Sequence, residues 1–249
     1  MTDLIPDGVS QLLLVEGPDD KQFFKRLIKH MQSKHELPPD LSYHKIRKYG
    51  GKGKLGAYLF ELLQRPNFDY VDRIWIVRDV DYNEKQSHRK RGAPLRALDS
   101  VNTAIRNSYS ESSRDINPPE LQDFMTPSNS QPSLSLLALP DSDITAEGML
   151  ESILLKALAD DPMMSCVDKY FDCVKEKHSE SEVARNREDK NRLSVLLSGK
   201  LILRDLARSK DATRELPRYI YNMKWWKDDT FDDSAFDQAK AFLHQLLKP

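Results

Sequence analysis

Short continuous apolar runs alternate with amphipathic stretches along the first half of the chain. Residues 12–15, 74–77 and 134–139 are mainly apolar runs with the length and composition of buried parallel strands, the second of which is predicted to begin at Arg73. Residues 43–47 have the alternating character of a weaker strand. Strands separated by helices predict an α/β fold with a mainly parallel central sheet covered on both faces, which is a three-layer core.

The helices follow from apolar residues at helical spacing. The first begins at Pro18, a position that proline favours, and it ends before Pro38. Asp19 and Asp20 lie in its first turn, where negative charge is favourable. The other predicted helices cover residues 55–64, 94–109, 145–158, 166–177, 189–207 and 234–247.

The pattern also divides the chain. We expect an α/β core over residues 10–160, followed by a helical C-terminal extension, residues 161–249, packed on that core. Residues 110–133 are rich in Ser, Pro, Asn and Asp, and they predict a long mobile loop inside the core. No internal repeat is visible in the sequence.

Composition narrows the class of protein. The 249 residues are 39% hydrophobic and 31% charged, and no apolar run reaches the roughly 18 residues that span a bilayer. The acidic start MTDLIPDGVS has no signal-peptide pattern, so we expect a cytoplasmic protein without membrane association. Cys166 and Cys173 are seven residues apart on a predicted helix, too far for a disulfide, and are interpreted as small buried hydrophobic residues.

Carboxylates follow two of the predicted strands directly. Glu16 comes after the first strand, and Asp79 and Asp81 come after the third. The carboxyl ends of parallel strands line the ligand crevice in open α/β sheets, and residues i and i+2 of a strand point the same way. Three acids at this edge would repel one another without a counter-charge, and oxygen ligands suit Mg²⁺ or Mn²⁺. The sequence therefore predicts a divalent-cation site, although single acids here could instead cap helices or pair with arginines.

A strand ending in Glu16-Gly17, a glycine-lysine turn, and a strand ending in Asp79-Val80-Asp81 together resemble a Toprim domain. This Rossmann-like, metal-binding module occurs in topoisomerases, bacterial primases and nucleases of the overcoming-lysogenization-defect family. Gly148-Met149-Leu150-Glu151 is similar to a third recurrent element, which opens a helix after the fourth strand. Over residues 10–160 the chain most resembles small stand-alone Toprim-like bacterial proteins of uncharacterised function.

The resemblance implies roles for individual residues. Glu16 would be an acid/base next to the metal, Asp79 and Asp81 would be metal ligands, and Glu151 would bind a second ion. A lysine in the C-terminal part of the related nucleases assists the scissile phosphate. Lys190 is the first candidate for it, and Lys200 fits almost as well. Glu147, one helical turn before Glu151, could support it or simply be a favourable acid in a first helical turn.

Basic residues surround the expected site. Residues 41–109 hold 14 Lys or Arg against 7 Asp or Glu, which indicates a polyanionic partner or a solvated surface. The turn Gly50-Gly51-Lys52-Gly53-Lys54 lacks the spacing and the terminal Ser/Thr of a Walker A motif, so we reject an NTPase. The expected phosphate-binding residues are Lys52, Lys54, Arg89, Lys90 and Arg91.

The leading hypothesis is a metal-dependent nuclease acting on DNA or RNA, with DNA favoured. A topoisomerase would need a separate tyrosine-bearing domain, and a primase would need a zinc module, so both are disfavoured. The alternative is a non-catalytic sensor that binds nucleic acid or a nucleotide within a larger assembly, such as one in phage defence. A protein partner and a homo-oligomer both stay open.

Overall fold

The structure is a computed structural model of the chain. It describes residues 5, 7–41, 44–80, 93–112, 114, 116–139, 150–177, 188–205 and 228–247.

Four strands and seven helices form in these residues. The strands are β1 (Gln11–Val15), β2 (His44–Lys48), β3 (Arg73–Asp79) and β4 (Ser133–Leu139). The helices are α1 (Pro18–Ser33), α2 (Leu55–Leu63), α3 (Ala93–Glu111), α4 (Leu150–Ala157), α5 (Met164–Lys177), α6 (Glu188–Asp205) and α7 (Asp237–Leu246). Short 3-10 turns precede α2 at Lys52–Lys54, follow it at Pro66–Tyr70, and precede α7 at Asp228–Asp232 and Ser234–Phe236.

The sheet is entirely parallel in the described residues, with the order β2-β1-β3-β4. From β1 the chain moves outward to β2, and from β2 it crosses over β1 to reach β3. The direction of winding therefore reverses between β1 and β3. Ligands of open α/β sheets bind at such a switch point, outside the carboxyl ends of the strands. The α/β class and the parallel sheet are confirmed.

Each face of the sheet is covered by helices, because successive strand residues point to opposite faces. Leu13, Trp75 and Leu137 share one apolar core with α1 and with α4–α7. The strand residues next to them share a second core with α2 and α3. Burial on both faces explains why these strands are continuously apolar, and it gives the three layers that the sequence predicts.

The last helix packs directly on the middle of the sheet. The rings of Trp75 in β3 and Phe242 in α7 meet edge to face, with centroids 4.8 Å apart. Phe231 and Phe236 pack against Phe23 of α1 in the same core. Residues far apart in sequence thus share one apolar layer. The division into two units at residue 160 stays a prediction.

The segment before β4 contains neither helix nor strand over residues 116–132. The side chain of Asn102 in α3 exchanges two hydrogen bonds of 2.9 Å with the backbone of Leu121. Nearer the strand, the N–H groups of Met125 and Ser128 donate to the carbonyls of Leu136 and Leu134. These bonds connect the segment to α3 and β4 at several points, and its mobility stays a prediction.

One expectation about side chains is wrong. Cys166 and Cys173 are exposed on α5, because Met164, Val167 and Phe171 form the buried side of that helix. Among the helices that the structure describes, none is long and apolar enough to cross a membrane.

The contact between α7 and the sheet leads to a prediction about stability. Replacing the fully buried Phe242 by alanine should lower the free energy of unfolding by about 3–5 kcal/mol, because it leaves a cavity against Trp75. Urea unfolding monitored by tryptophan fluorescence measures this loss. Gln245→Ala, at an exposed position of the same helix, is the matched control. Equal stability of the two variants would contradict the packing of α7 on the sheet.

Candidate functional site

The carboxyl ends of β1 and β3 bring acidic residues to the switch point of the sheet. Glu16 follows the last residue of β1, and Asp79 is the last residue of β3. In the register of these strands Leu14 lies beside Ile76, so both acids belong to the same edge. The sequence predicted this arrangement from the strand pattern.

Asp79 lies among other carboxylates at the end of β3. It is partly buried, and its carboxylate accepts a 3.3 Å hydrogen bond from the backbone N–H of Leu150 at the start of α4. Burial raises the pKa of Asp79 well above its usual range. The negative charges of Asp20, Glu16 and Glu151 raise this pKa further, and the Leu150 bond lowers it. Four carboxylates therefore act on one another at this edge.

The first turn of α1 adds two acids that our sequence reading assigned only to helix stability. Asp20 is buried, and its carboxylate accepts a 2.6 Å hydrogen bond from the N–H of Gly17. Burial raises the pKa of Asp20 to about 6, against the effect of the Gly17 bond, and Glu16 adds to the rise. Burial likewise raises the pKa of Asp19 to about 6, with a lowering effect of Lys190. The sequence signal that could have assigned Asp19 and Asp20 to the site is their position in the first turn of α1, directly after β1.

Glu16 is held at the edge by its own backbone. Its carbonyl accepts hydrogen bonds from the N–H groups of Gly50 and Gly51, at 3.0 and 3.2 Å. Both glycines have positive φ, 91° and 111°, which side-chain-bearing residues rarely adopt. The glycine turn after β2 is therefore joined to the site by hydrogen bonds. Oε2 of Glu16 and Oδ1 of Asp19 are buried oxygens without a hydrogen-bond partner in the described structure.

Helices α4 and α6 bring one carboxylate and one lysine to the site. Glu151 lies in the first turn of α4, and its Oε1 is 3.4 Å from Nζ of Lys190 in the first turn of α6. The Lys190 side chain is 52% exposed and that of Glu151 is 15% exposed, so the lysine approaches the acids from the solvent side. Lys200, the other candidate, forms an ion pair with Asp161 instead.

A tyrosine and an arginine also lie near the acids. The hydroxyl of Tyr49 donates a 3.0 Å hydrogen bond to the carbonyl of Val77, and it also interacts with Arg78. Burial raises the pKa of Tyr49, and the nearby charge of Glu16 raises it further. Arg78 is 6% exposed, so its positive charge acts from inside the protein. From the sequence Arg78 was considered only as a possible ion-pair partner of the strand-end acids, and Tyr49 belongs to no recognisable motif.

Several predicted site residues lie outside the described residues. These are Asp81, Arg89, Lys90 and Arg91, together with Glu147 and the side chain of Lys52. Lys54 is described and is exposed at the start of α2. The structure thus brings together Glu16, Asp79, Glu151 and Lys190, and it adds Asp19 and Asp20 to them.

The donor set has the chemistry of a hard-cation site. All the acidic side chains of the site offer carboxylate oxygens, and two of these oxygens, Oε2 of Glu16 and Oδ1 of Asp19, are buried without a hydrogen-bond partner among the described residues. Burial, with a contribution from neighbouring negative charges, raises the pKa values of Asp19 and Asp20. Within the described ranges, however, no three acidic, histidine or cysteine side chains lie in an arrangement that could hold a metal ion. The oxygen donors are of the type that Mg²⁺ and Mn²⁺ bind, but the described side chains do not form a coordination shell, and the metal site stays a prediction.

Comparison with known proteins gives one family. The model of the family described as "Protein of unknown function (DUF3226)" matches residues 10–247. No curated protein matches the sequence. A solved structure similar to this chain is the C-terminal region of the OLD protein of Xanthomonas campestris pv. campestris. The two are 12% identical, the alignment covers 96% of each chain, and the TM-score is 0.38.

The raised pKa of Asp19 leads to a prediction about stability and pH. Because the folded pKa of about 6 exceeds the ordinary value of 3.8, the folded state binds more protons between these pH values. The ionised carboxylate therefore costs stability as the pH rises from 4 towards 7. Asp19→Asn should raise the free energy of unfolding by about 1–2 kcal/mol near neutral pH in EDTA, and the gain should vanish near pH 4.

Chemical denaturation of wild type and variant across this pH range measures the effect. Asp160→Asn removes a carboxylate at an exposed position and is the matched control, with no expected gain. A destabilised Asp19→Asn at neutral pH would show that the Asp19 carboxylate contributes favourably to folding, contrary to the repulsion described above.

Proposed function

We propose that this chain, which belongs to the DUF3226 family, is a divalent-metal-dependent phosphoryl-transfer enzyme, most simply a nuclease that hydrolyses DNA or RNA phosphodiesters. The observation that carries the proposal is the meeting of five carboxylates and one lysine at the switch point of a parallel sheet. Such a concentration of negative charge costs folding energy, and proteins accept this cost where a site needs a cation.

In this proposal the carboxylates hold the cation. Glu16, Asp79 and Glu151 would bind Mg²⁺ or Mn²⁺ together with Asp81. The bound cation would lower the pKa of a water molecule and stabilise charge on the phosphate oxygens. The Toprim resemblance of Glu16-Gly17 and Asp79-Val80-Asp81 supports this assignment, as do the partnerless buried oxygens of Glu16 and Asp19.

The chain's own residues would supply the remaining steps. Glu16 would accept a proton from the attacking water, since its Oε2 is buried and free of protein partners in the described residues. Lys190, largely exposed and beside Glu151, would bind the scissile phosphate and exchange its ion pair for that contact. Asp20 would keep Glu16 and the start of α1 in place through its bond to Gly17.

One observation favours a second function. No three described carboxylates are arranged as a coordination shell, which suits a protein that binds nucleic acid or a nucleotide without hydrolysing it. A sensor of this kind, working within a larger assembly, is therefore the alternative, and phage defence is one setting for it. The same experiment separates the two functions.

Cleavage is tested with labelled single- and double-stranded DNA and RNA in the presence of Mg²⁺ or Mn²⁺. Wild type should cleave at least one of these substrates. Glu16→Gln and Asp79→Asn should each reduce the rate at least about a hundredfold, because they remove a general base and a metal ligand. Asp160→Asn, which changes an exposed acid outside the site, should keep the wild-type rate.

Thermal unfolding with and without Mn²⁺ accompanies this assay. Saturating cation should stabilise wild type by about 2.7 kcal/mol at a hundred times its Kd, and Asp79→Asn should lose this gain. Wild-type cleavage rates in both Glu16→Gln and Asp79→Asn would show that the assignment of the site is wrong. A protein that binds nucleic acid and cleaves none of the substrates would be the sensor.

A separate prediction concerns the two candidate lysines. Lys190→Gln should lower the cleavage rate by about 10²–10³ and leave the Mn²⁺-dependent stabilisation unchanged, because the lysine would act on the phosphate and not on the cation. Lys200→Gln should cleave at nearly the wild-type rate, since its partner is Asp161. The reverse ranking of the two variants would transfer the role to Lys200.

A further inference from the structure

The open edge of the sheet is strongly basic. Within the described sheet β2 has one neighbour, β1, so its other side is an edge. This strand has the sequence His-Lys-Ile-Arg-Lys, with Ile46 buried and with Lys45 and Lys48 exposed. Edge strands that carry lysines do not readily pair with other strands. The exposed charges of Lys45 and Lys48 can be reached by a ligand of the opposite sign.

Helix α1 extends this positive surface. Lys21 and Lys25, four residues apart and on the same side of the helix, lie beside β2. Burial lowers the pKa of Lys21, and the positive charges of Lys25, Arg47, Lys48 and Lys45 lower it further. Every charge with a marked effect on Lys21 is therefore positive. We call the five residues Lys21, Lys25, Lys45, Arg47 and Lys48 the basic edge.

The basic edge leads directly to the carboxylates. Lys48 lies beside Val15 in the register of β1 and β2, one residue before Glu16. After Lys48 and Tyr49 the chain enters the glycine turn, whose N–H groups bind the Glu16 carbonyl. A ligand lying along β2 would therefore have one end at Glu16.

We propose that the basic edge binds the phosphodiester backbone of a nucleic acid, without sequence preference, and guides it to the carboxylate site. This inference rests on the proposed function and names the surface by which its substrate is held. It involves residues other than the expected phosphate-binding set in the glycine turn and at 89–91. Two of its members, Lys21 and Lys25, become visible only when α1 packs beside β2.

The side chains of the basic edge favour binding of a phosphate backbone without recognition of the base sequence. Four of its five cations are lysines, which are point charges on flexible stems and contact phosphates without fixed geometry. Reading of base sequence would require side chains that make paired hydrogen bonds to base edges. Repulsion among its four neighbouring lysines is relieved by a polymer that presents a regular series of negative charges.

The experiment measures binding separately from cleavage. Fluorescence anisotropy with labelled single- and double-stranded DNA and RNA is recorded in EDTA, over about 0.05–0.2 M NaCl. Lys45→Gln combined with Lys48→Gln should reduce the slope of log K against log salt by about 2, one for each lost phosphate contact. The affinity near 0.1 M salt should fall at least about tenfold. Lys169→Gln combined with Lys177→Gln makes the same charge change at exposed positions of α5 and should leave the slope unchanged.

The outcomes distinguish this inference from the proposed function. A lysine-dependent slope in a protein that cleaves nothing would support the basic edge and remove the nuclease. Cleavage by wild type with an unchanged slope in the Lys45/Lys48 variant would overturn the basic edge and leave the nuclease. A tenfold preference among oligonucleotides of different sequence would overturn binding without sequence preference. Lysine-dependent binding to phosphatidylserine vesicles or to poly-glutamate, without binding to nucleic acid, would overturn the choice of ligand.

Discussion

Repulsion among carboxylates at the carboxyl edge of the sheet is the constraint on which the site depends. Burial alone disfavours their charged forms, and each additional acid increases the cost. Part of this cost is offset by hydrogen bonds from the N–H groups of Gly17 and Leu150 and by the positive charge of Lys190. The negative charge that remains is balanced by a bound cation, reduced by proton uptake, or tolerated at the cost of stability. Each of these makes the site responsive to cations or to pH.

Two apolar layers supply the stability that the fold needs to tolerate the excess negative charge at the site. Each face of the four strands is sealed by its own group of helices, so the sheet edge is placed by packing far from the charges. Burial in these layers is favourable by roughly 25 cal/mol for each Å² of apolar surface, and it can outweigh a few kcal/mol of repulsion at one edge. Burial of apolar side chains in the two cores therefore offsets the repulsion among the carboxylates at the switch point. Sites of this kind commonly trade stability for function.

The sequence predicted the elements well, because buried parallel strands and amphipathic helices have distinct periods. It also predicted that Glu16 and Asp79 share an edge, since both follow apolar runs. It could not reveal Asp19 and Asp20 as members of the site, because an acid in a first helical turn has a sufficient local explanation. The place of Tyr49 next to the acids, and that of Lys21 and Lys25 beside the basic residues of β2, depend on packing between distant elements, which no local pattern encodes. The exposed Cys166 and Cys173 show the same limit, since a cysteine fits either side of a helix.

The contact between Trp75 and Phe242 has a consequence for the order in which the protein is made. One face of β3 is covered by a helix that lies about 170 residues later in the chain. At roughly 5–20 residues per second, a ribosome needs on the order of ten seconds or more to synthesise the chain between them. During this interval Trp75 lacks its contact with Phe242, while the acids of β1 and β3 have already been synthesised. The carboxylate site is likewise completed late, after translation has supplied Glu151 of α4 and Lys190 of α6.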